Sequence, residues 1–177
     1  MLVSVLRRNI MLLLKDLPDK KSIKKISKNK KGIDTNSAVF SLQFLKKASD
    51  AFKVIDRFFN SHDLSQGRFL ALTVLYSDGK NGLFPFEVAD LMGVTRATAS
   101  GLLKGLQTKG YIVANQSETD GRMKRVSLTD LGKEKIETLT PEYYKLISKF
   151  TGKQDKKVLK EFSMLMCDMS SLINEIE

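Results

Sequence analysis

The stretch PFEVADLMGVTRATASGLLKGLQTKG, residues 85–110, decides the fold of this chain. Pro85 suits the first turn of a short helix, and Gly93 suits the position just beyond its end. Thr95 can cap a second helix, which Gly110 terminates. The buried side of this second helix consists of apolar residues at helical spacing, namely Ala99, Leu102, Leu103 and Leu106. Two helices joined by a brief turn predict a helix-turn-helix.

The other side of the second helix is small, hydroxylated or basic, and comprises Arg96, Ala97, Thr98, Ser100, Gly101 and Lys104. Slim side chains let a helix enter the major groove of DNA, where hydroxyl groups and arginine can bond base edges or phosphates. A solvated helix face has a similar composition. The helix alone is therefore compatible with either interpretation.

A basic hairpin follows the two helices. Its strands are predicted in YIVANQ, residues 111–116, and MKRVSL, residues 123–128, and its turn lies in SETDGR. Arg122 stands at the apex, Lys124 and Arg125 flank it, and Asp120 can hold the Arg122 guanidinium by hydrogen bonds. An arginine on a narrow ribbon can enter a minor groove. A charged turn without function is the alternative, which the order helix, helix, basic hairpin disfavours.

Two long amphipathic helices bracket this region, and their apolar stripes predict them at about 37–60 and 155–176. One small domain between them would struggle to cover both stripes. We therefore expect the helices to bury each other and, in part, the same helices of a second copy, which makes a homodimer. A helical core within one chain is the alternative. Cys167 lies on the last helix beside Met166 and Met169, and we interpret it as a buried core residue, with redox sensing as the alternative.

Residues 1–33 form an N-terminal extension that carries ten Lys or Arg against two Asp, or +8 of the chain's net charge of +10. Apolar residues at helical spacing predict an amphipathic helix in residues 1–17, and a Lys-rich flexible tether follows. The helix can pack on its own protein or a twin subunit, lie on a membrane surface, or be a disordered extension. Its longest apolar run is too short to span a membrane.

Composition limits the remaining possibilities. A chain of 177 residues suits one domain with an appendage, and its basic pI of about 9.6 suits a polyanionic partner. One Cys and one His exclude an internal disulfide and a Cys/His metal cluster, and they suit a reducing cytoplasm. His62 has no obvious catalytic partner and no phosphate-binding loop is present, so we expect neither an enzyme nor a cofactor.

Residues 64–132 resemble the winged helix-turn-helix of the MarR (multiple antibiotic resistance regulator) family. The likeness lies in LSQGRFLALTVLY, in VADLMGVTRATASGLLKGLQTKGYIV, in DGR, and in RVSLTDLGKE with its Leu-Thr-x-x-Gly. It extends by shape to the terminal helices. The resemblance implies a mainly α MarR-like domain at 34–177, with a small β-hairpin wing and long terminal dimerisation helices.

The resemblance also implies a function. Asp120 would support Arg122 in the minor groove, and the residues along the major groove would be Arg96, Thr98, Ser100, Gly101 and Lys104. We expect a homodimeric, sequence-specific regulator of transcription, a repressor, that binds a pseudo-palindromic operator. A winged-helix module that binds protein and a membrane-associated regulator are the alternatives.

Family members commonly bind small aromatic effectors between the dimer helices and the DNA-binding region. Phe40, Phe44, Leu72 and Tyr76 would line such a cleft, or they belong to the core. The chain departs from the family in its extension and in Pro85, which stands where many members have a Ser or Thr cap. Pro141 also departs, and it predicts a kink or a restart in the helix after the wing.

Overall fold

The computed structural model describes residues 20–26, 32, 34–78, 82–116 and 124–176. These residues form seven helices and one two-stranded sheet, so the expected mainly α fold with a small wing is confirmed. The predicted leader helix in residues 1–17 lies outside the described residues. So does the wing turn at 117–123, with Asp120 and Arg122.

Apart from the first helix, the elements follow the chain in the order that the sequence predicts. The elements are α1 (Lys20–Ile26), α2 (Thr35–Ser61), α3 (Gln66–Asp78), α4 (Pro85–Leu91), α5 (Arg96–Thr108), β1 (Ile112–Gln116), β2 (Lys124–Leu128), α6 (Asp130–Ser148) and α7 (Lys156–Ile176).

Side-chain caps fix where the long helices begin. Asp34 accepts hydrogen bonds from the Asn36 amide and the Ser37 hydroxyl, so α2 begins at Thr35, two residues before the predicted start. The amide of Lys157 donates to the Asp155 carboxylate at 2.8 Å and caps α7 in the same way.

Helix α1 lies inside the segment that the sequence interpreted as a flexible tether, and that interpretation is wrong for residues 20–26. Its lysines are good helix formers, and Ile23 provides a half-buried apolar side chain. The helix contacts α2. Packing against a neighbour therefore stabilises a segment that is too short to be helical alone.

Strands β1 and β2 pair antiparallel, with Ile112 opposite Leu128 and Gln116 opposite Lys124. An isolated bridge adds a third segment, because Leu83 and Val126 exchange backbone hydrogen bonds of 2.9 and 2.7 Å. The wing is thus joined directly to the residue before the N-cap of α4.

The core of the reading head, residues 59–136, lies where α3, α4, α5 and the wing meet. Its fully buried side chains are large and aliphatic or aromatic: Phe59, Leu72, Val88 and Leu106. Each Å² of apolar surface that is removed from water contributes about 25 cal/mol to the free energy of folding. This cluster therefore makes the main stabilising contribution to the reading head.

The chain divides into two compact units between Ile136 and Glu137, a division within the region expected to be one domain. Helix α6 crosses this boundary and continues through Pro141, so the predicted restart at Pro141 is wrong. Proline removes one backbone donor, and a helix of 19 residues retains its hydrogen bonds on either side.

The second unit contains the end of α6 and all of α7. Several apolar side chains of α7 are exposed, including Val158, Phe162, Leu165 and Met166. Cys167 is also exposed, so its interpretation as a buried core residue is wrong for the single chain. It follows Leu165 by two residues, which places it about 200° away around the helix.

None of the described helices combines the length and the apolar character needed to cross a bilayer.

Candidate nucleic-acid interface

Helix α5 presents the face that the sequence predicts. Ala99, Leu103 and Leu106 are buried and Leu102 is half-buried, whereas Arg96, Ser100, Gly101 and Lys104 are exposed. The first turn of α5 contains no acidic residue, so the positive end of the helix dipole and Arg96 add to each other. This arrangement favours an anionic partner at the beginning of the helix.

Thr98 differs from the other predicted contact residues of α5 because it is half-buried and takes part in the helix cap. Its amide donates to the Thr95 hydroxyl at 3.2 Å, and the two hydroxyl oxygens lie 2.9 Å apart. The Thr98 hydroxyl is thus already bonded within the protein. Thr98 therefore stabilises the N-terminal cap of α5, and less of its side chain is available on the exposed face.

The turn between α4 and α5 has the geometry of a helix-turn-helix. The amide of Val94 donates to the Ala89 carbonyl, and Gly93 has a φ of 62°, where a side chain would be strained. At the other end of α4, the Glu87 carboxylate accepts the Phe84 amide at 2.7 Å. Pro85 is therefore well placed at the first helical position, as the sequence predicts.

The two described basic residues of the wing have different environments. Lys124 is exposed at the end of β2 nearest the turn, as a phosphate contact requires. Arg125 is half-buried, donates to the Gly82 carbonyl at 2.7 Å, and lies 4.2 Å from the centre of the Phe84 ring. Sequence reasoning grouped Arg125 with the DNA contacts, but its guanidinium joins the wing to the beginning of α4.

A second set of contacts fixes the far end of α5. Lys109, next to the end of α5, forms an ion pair with Asp63, which lies in the turn between α2 and α3. The pKa of the Asp63 carboxyl is lowered, chiefly by the hydrogen bond from Lys109 and then by its charge. From α6, Lys135 donates to the His62 carbonyl at 3.2 Å. The C-terminal end of α5 is therefore connected to the turn that follows α2.

Thr129 and Gly132, from the Leu-Thr-x-x-Gly motif, connect the wing and α6 to the residues after α5. The Thr129 hydroxyl donates to the Gly110 carbonyl at 2.6 Å and accepts the Gly132 amide at 3.1 Å. Gly132 packs so closely on the Tyr111 carbonyl that a Cβ atom would overlap it. Sequence reasoning identified this motif by resemblance alone and missed these contacts.

The four candidate effector residues have different environments. Leu72 is fully buried, as the core interpretation expects, and Phe44 is half-buried. Phe40 and Tyr76 are 46% and 44% exposed. Leu72 is thus inaccessible in the single chain, and Phe40 and Tyr76 are the residues of this set open to a ligand.

Within the described ranges, no three His, Cys, Asp or Glu side chains are grouped so that they could hold a metal ion.

Comparisons with known proteins agree with this geometry. A model of the MarR family matches residues 62–123. The HTH-type transcriptional repressor YetL of Bacillus subtilis is 31% identical over 135 residues, which cover 76% of this chain and 81% of YetL. YetL and further curated relatives are named as transcriptional regulators, which agrees with the sequence-based expectation of a regulator rather than an enzyme.

Two solved structures share the fold. A Staphylococcus aureus MepR–DNA complex has a TM-score of 0.65 at 21% identity, covering 75% of this chain and 96% of MepR. A MarR family transcription regulator has a TM-score of 0.70 at 15% identity, covering 80% of this chain and 93% of that one. The likeness identifies the described architecture as a winged helix of this type.

Proposed function

Because this chain belongs to the MarR family of transcription regulators, we propose that it binds double-stranded DNA sequence-specifically as a homodimer and represses transcription. The observation that carries the proposal is the exposed face of α5. Its Arg96 and Lys104 project beside the small residues Ser100 and Gly101, and its first turn lacks acidic residues. The surface is therefore cationic and also slim enough to approach base edges.

The relatives support two finer points. YetL is named a repressor, which favours repression over activation for this chain. MepR has been solved on DNA, and its fold is that of the present chain. We expect the protein to act in the cytoplasm, because bacterial chromosomal DNA lies there. The reducing environment of that compartment also suits its single cysteine.

The contact residues have different tasks in this proposal. Arg96 would read bases from the beginning of α5, Thr98 would support that end, and Ser100, Gly101 and Lys104 would follow the major groove. Lys124 would contact phosphate, and Arg122, held by Asp120, would enter the minor groove. Two recognition helices about one DNA turn apart would require a pseudo-palindromic operator.

An effector remains part of the proposal, and the aromatic side chains of Phe40 and Tyr76 are the contacts we expect it to use. Their exposure favours a planar apolar ligand, since aromatic faces stack on one another. Release of DNA on adding such a ligand would establish regulation.

The proposal is tested by fluorescence-anisotropy titration of the full chain against an operator selected from a random duplex library. We expect Arg96→Ala to lower the preference for particular bases by about 1–3 kcal/mol. Lys124→Ala should weaken selected and unrelated duplexes alike and reduce the salt dependence, because it removes a phosphate contact.

Lys47→Ala, on the exposed surface of α2, is the matched control and should bind as the wild type does. If Arg96→Ala, Lys124→Ala and Lys47→Ala all bind every duplex with the affinity of the wild type, the N-terminal lysines rather than the winged helix carry the affinity. The winged helix would then be better explained as a protein-binding module.

A further inference from the structure

Two stacked aromatic rings lie between two arginine side chains, in a row that runs from the wing to the beginning of α5. The Arg125 guanidinium lies 4.2 Å from the centre of the Phe84 ring, and Phe84 stacks on Phe86 at 5.6 Å with an angle of 9° between the rings. The Arg96 guanidinium lies 6.0 Å from the centre of Phe86. We call these four residues, Arg125, Phe84, Phe86 and Arg96, the aromatic ladder.

The wing end of the ladder is fixed by backbone contacts. Arg125 also donates to the Gly82 carbonyl, and the neighbouring Leu83 exchanges two backbone hydrogen bonds with Val126. The Phe84 amide is bonded to Glu87. Pro85 lies between the two phenylalanines in the sequence, and its fixed φ restricts the backbone that connects them. Phe86 is thus held on a rigid base, although its own ring is only half-buried.

Arg96, at the other end, has few constraints of its own. It is the first residue of α5, it is exposed, and it forms no ion pair with any residue that the structure describes. Its cation also faces the positive end of the helix dipole, which is unfavourable. The negative face of an aromatic ring attracts a guanidinium, and the contact restricts the conformations of a long side chain.

We propose that Phe86 is a positioning residue for Arg96 and thereby a determinant of the base preference of this chain. The inference rests on the proposed function, because it requires Arg96 to read DNA. A planar guanidinium must present its donors in one orientation to bond a base bidentately, whereas a phosphate accepts it from many directions. A ring that restricts Arg96 therefore favours base discrimination over general affinity.

The test uses the full chain and the operator that the wild type selects from a random duplex library. Affinity is measured for that operator, for operators changed at the base pairs to which Arg96→Ala becomes indifferent, and for an unrelated duplex. We expect Phe86→Leu to lose about two- to fivefold of the discrimination at those base pairs, the range of an exposed cation–π contact. Binding to the unrelated duplex should be unchanged.

Phe86→Tyr is the matched control, since it keeps the ring and should keep the discrimination. In the Arg96→Ala background, Phe86→Leu should cause no further loss, because its effect passes through Arg96. An equal loss on all duplexes, no loss, or full additivity with Arg96→Ala overturns the inference while leaving DNA binding intact. A wild type that selects no sequence instead overturns the proposed function, and the inference with it.

A measurement on the wild-type protein makes the test independent of the folding of Phe86→Leu. NMR relaxation of the arginine Nε–Hε groups should show Arg96 to be more ordered than Arg57, which is exposed on α2. An Arg96 as mobile as Arg57 in the free protein would overturn the positioning role.

Discussion

At the scale of single residues, Gly132 has the least space for a side chain among the described glycines. Its amide is bonded to the Thr129 hydroxyl, and its Cα faces the Tyr111 carbonyl without space for a methyl group. The same Thr129 hydroxyl donates to Gly110. One small residue and one hydroxyl thus hold the beginning of α6 against the residues after α5.

We therefore expect Gly132→Ala to lower the free energy of unfolding by about 2–3 kcal/mol, because the backbone must shift to accommodate the Cβ atom. Urea unfolding followed by circular dichroism measures the change. Gly101→Ala is the matched control, since nothing lies within 4 Å of a Cβ atom at that helical glycine. It should stabilise the chain by about 0.5–1 kcal/mol. Equal effects of the two substitutions would contradict the assigned role of Gly132.

Asp63 gives a second prediction at this scale, on acid stability. Because Lys109 lowers the pKa of Asp63 in the folded state, the ion pair stabilises the fold above the unfolded pKa of about 3.9. This stabilisation is lost as the pH falls through the lowered folded value. We expect Asp63→Asn to be less stable than the wild type at pH 7, and the difference should shrink as the pH falls through the lowered folded pKa of Asp63.

Asparagine is the appropriate substitution because Asp63 has a φ of 54°, a conformation that asparagine tolerates. Thermal unfolding at several pH values measures the difference. Lys109→Met should remove the same pH dependence, and Asp63→Asn should add nothing to it. A constant difference between wild type and Asp63→Asn across the pH range would show that the charge is not responsible.

At the scale of helices and strands, local signals predicted most boundaries. Thr95 and Gly110 lie at the ends where the sequence placed them, because caps and positive φ values depend on neighbouring residues. Contacts between distant segments were not predictable in this way. Arg125 reads as another wing cation in the sequence, and only the fold brings Gly82 and Phe84 to it.

The errors in the elements have two different origins. Helix α1 was missed because its half-buried Ile23 is supported by α2, which a Lys-rich sequence does not reveal. Pro141 was given too much weight, since the loss of one donor does not end a helix whose other bonds remain. The Phe-Pro-Phe sequence at 84–86 was the available signal for the aromatic ladder.

At the scale of the whole molecule, the apolar stripe of α7 is partly exposed in the single chain. Val158, Phe162 and Leu165 are 39–47% exposed in the single chain, and they recur on one side of the helix. Monomeric proteins rarely leave such a stripe in water. This exposure is what we expect of a helix that completes its burial in the proposed homodimer.

We expect Phe162→Glu to weaken the dimer by about two orders of magnitude, because an unpaired charge would be placed in an apolar interface. Sedimentation velocity over a range of concentrations measures this. Cys167→Glu introduces the same charge on the opposite side of α7 and should leave the dimer intact. Dissociation by both substitutions, or by neither, would contradict an interface on the stripe.

The bridge between Leu83 and Val126 also bears on how the protein folds. Its two hydrogen bonds join the two ends of a chain segment that contains α4, α5 and β1. The recognition helix α5 is therefore part of a closed loop. Closing a loop of this length is an entropic cost that local contacts alone do not offset, and the cost is recovered only when the whole loop is packed. The reading head should consequently open as one cooperative unit, with the Val126 amide exchanging its hydrogen only when that unit unfolds.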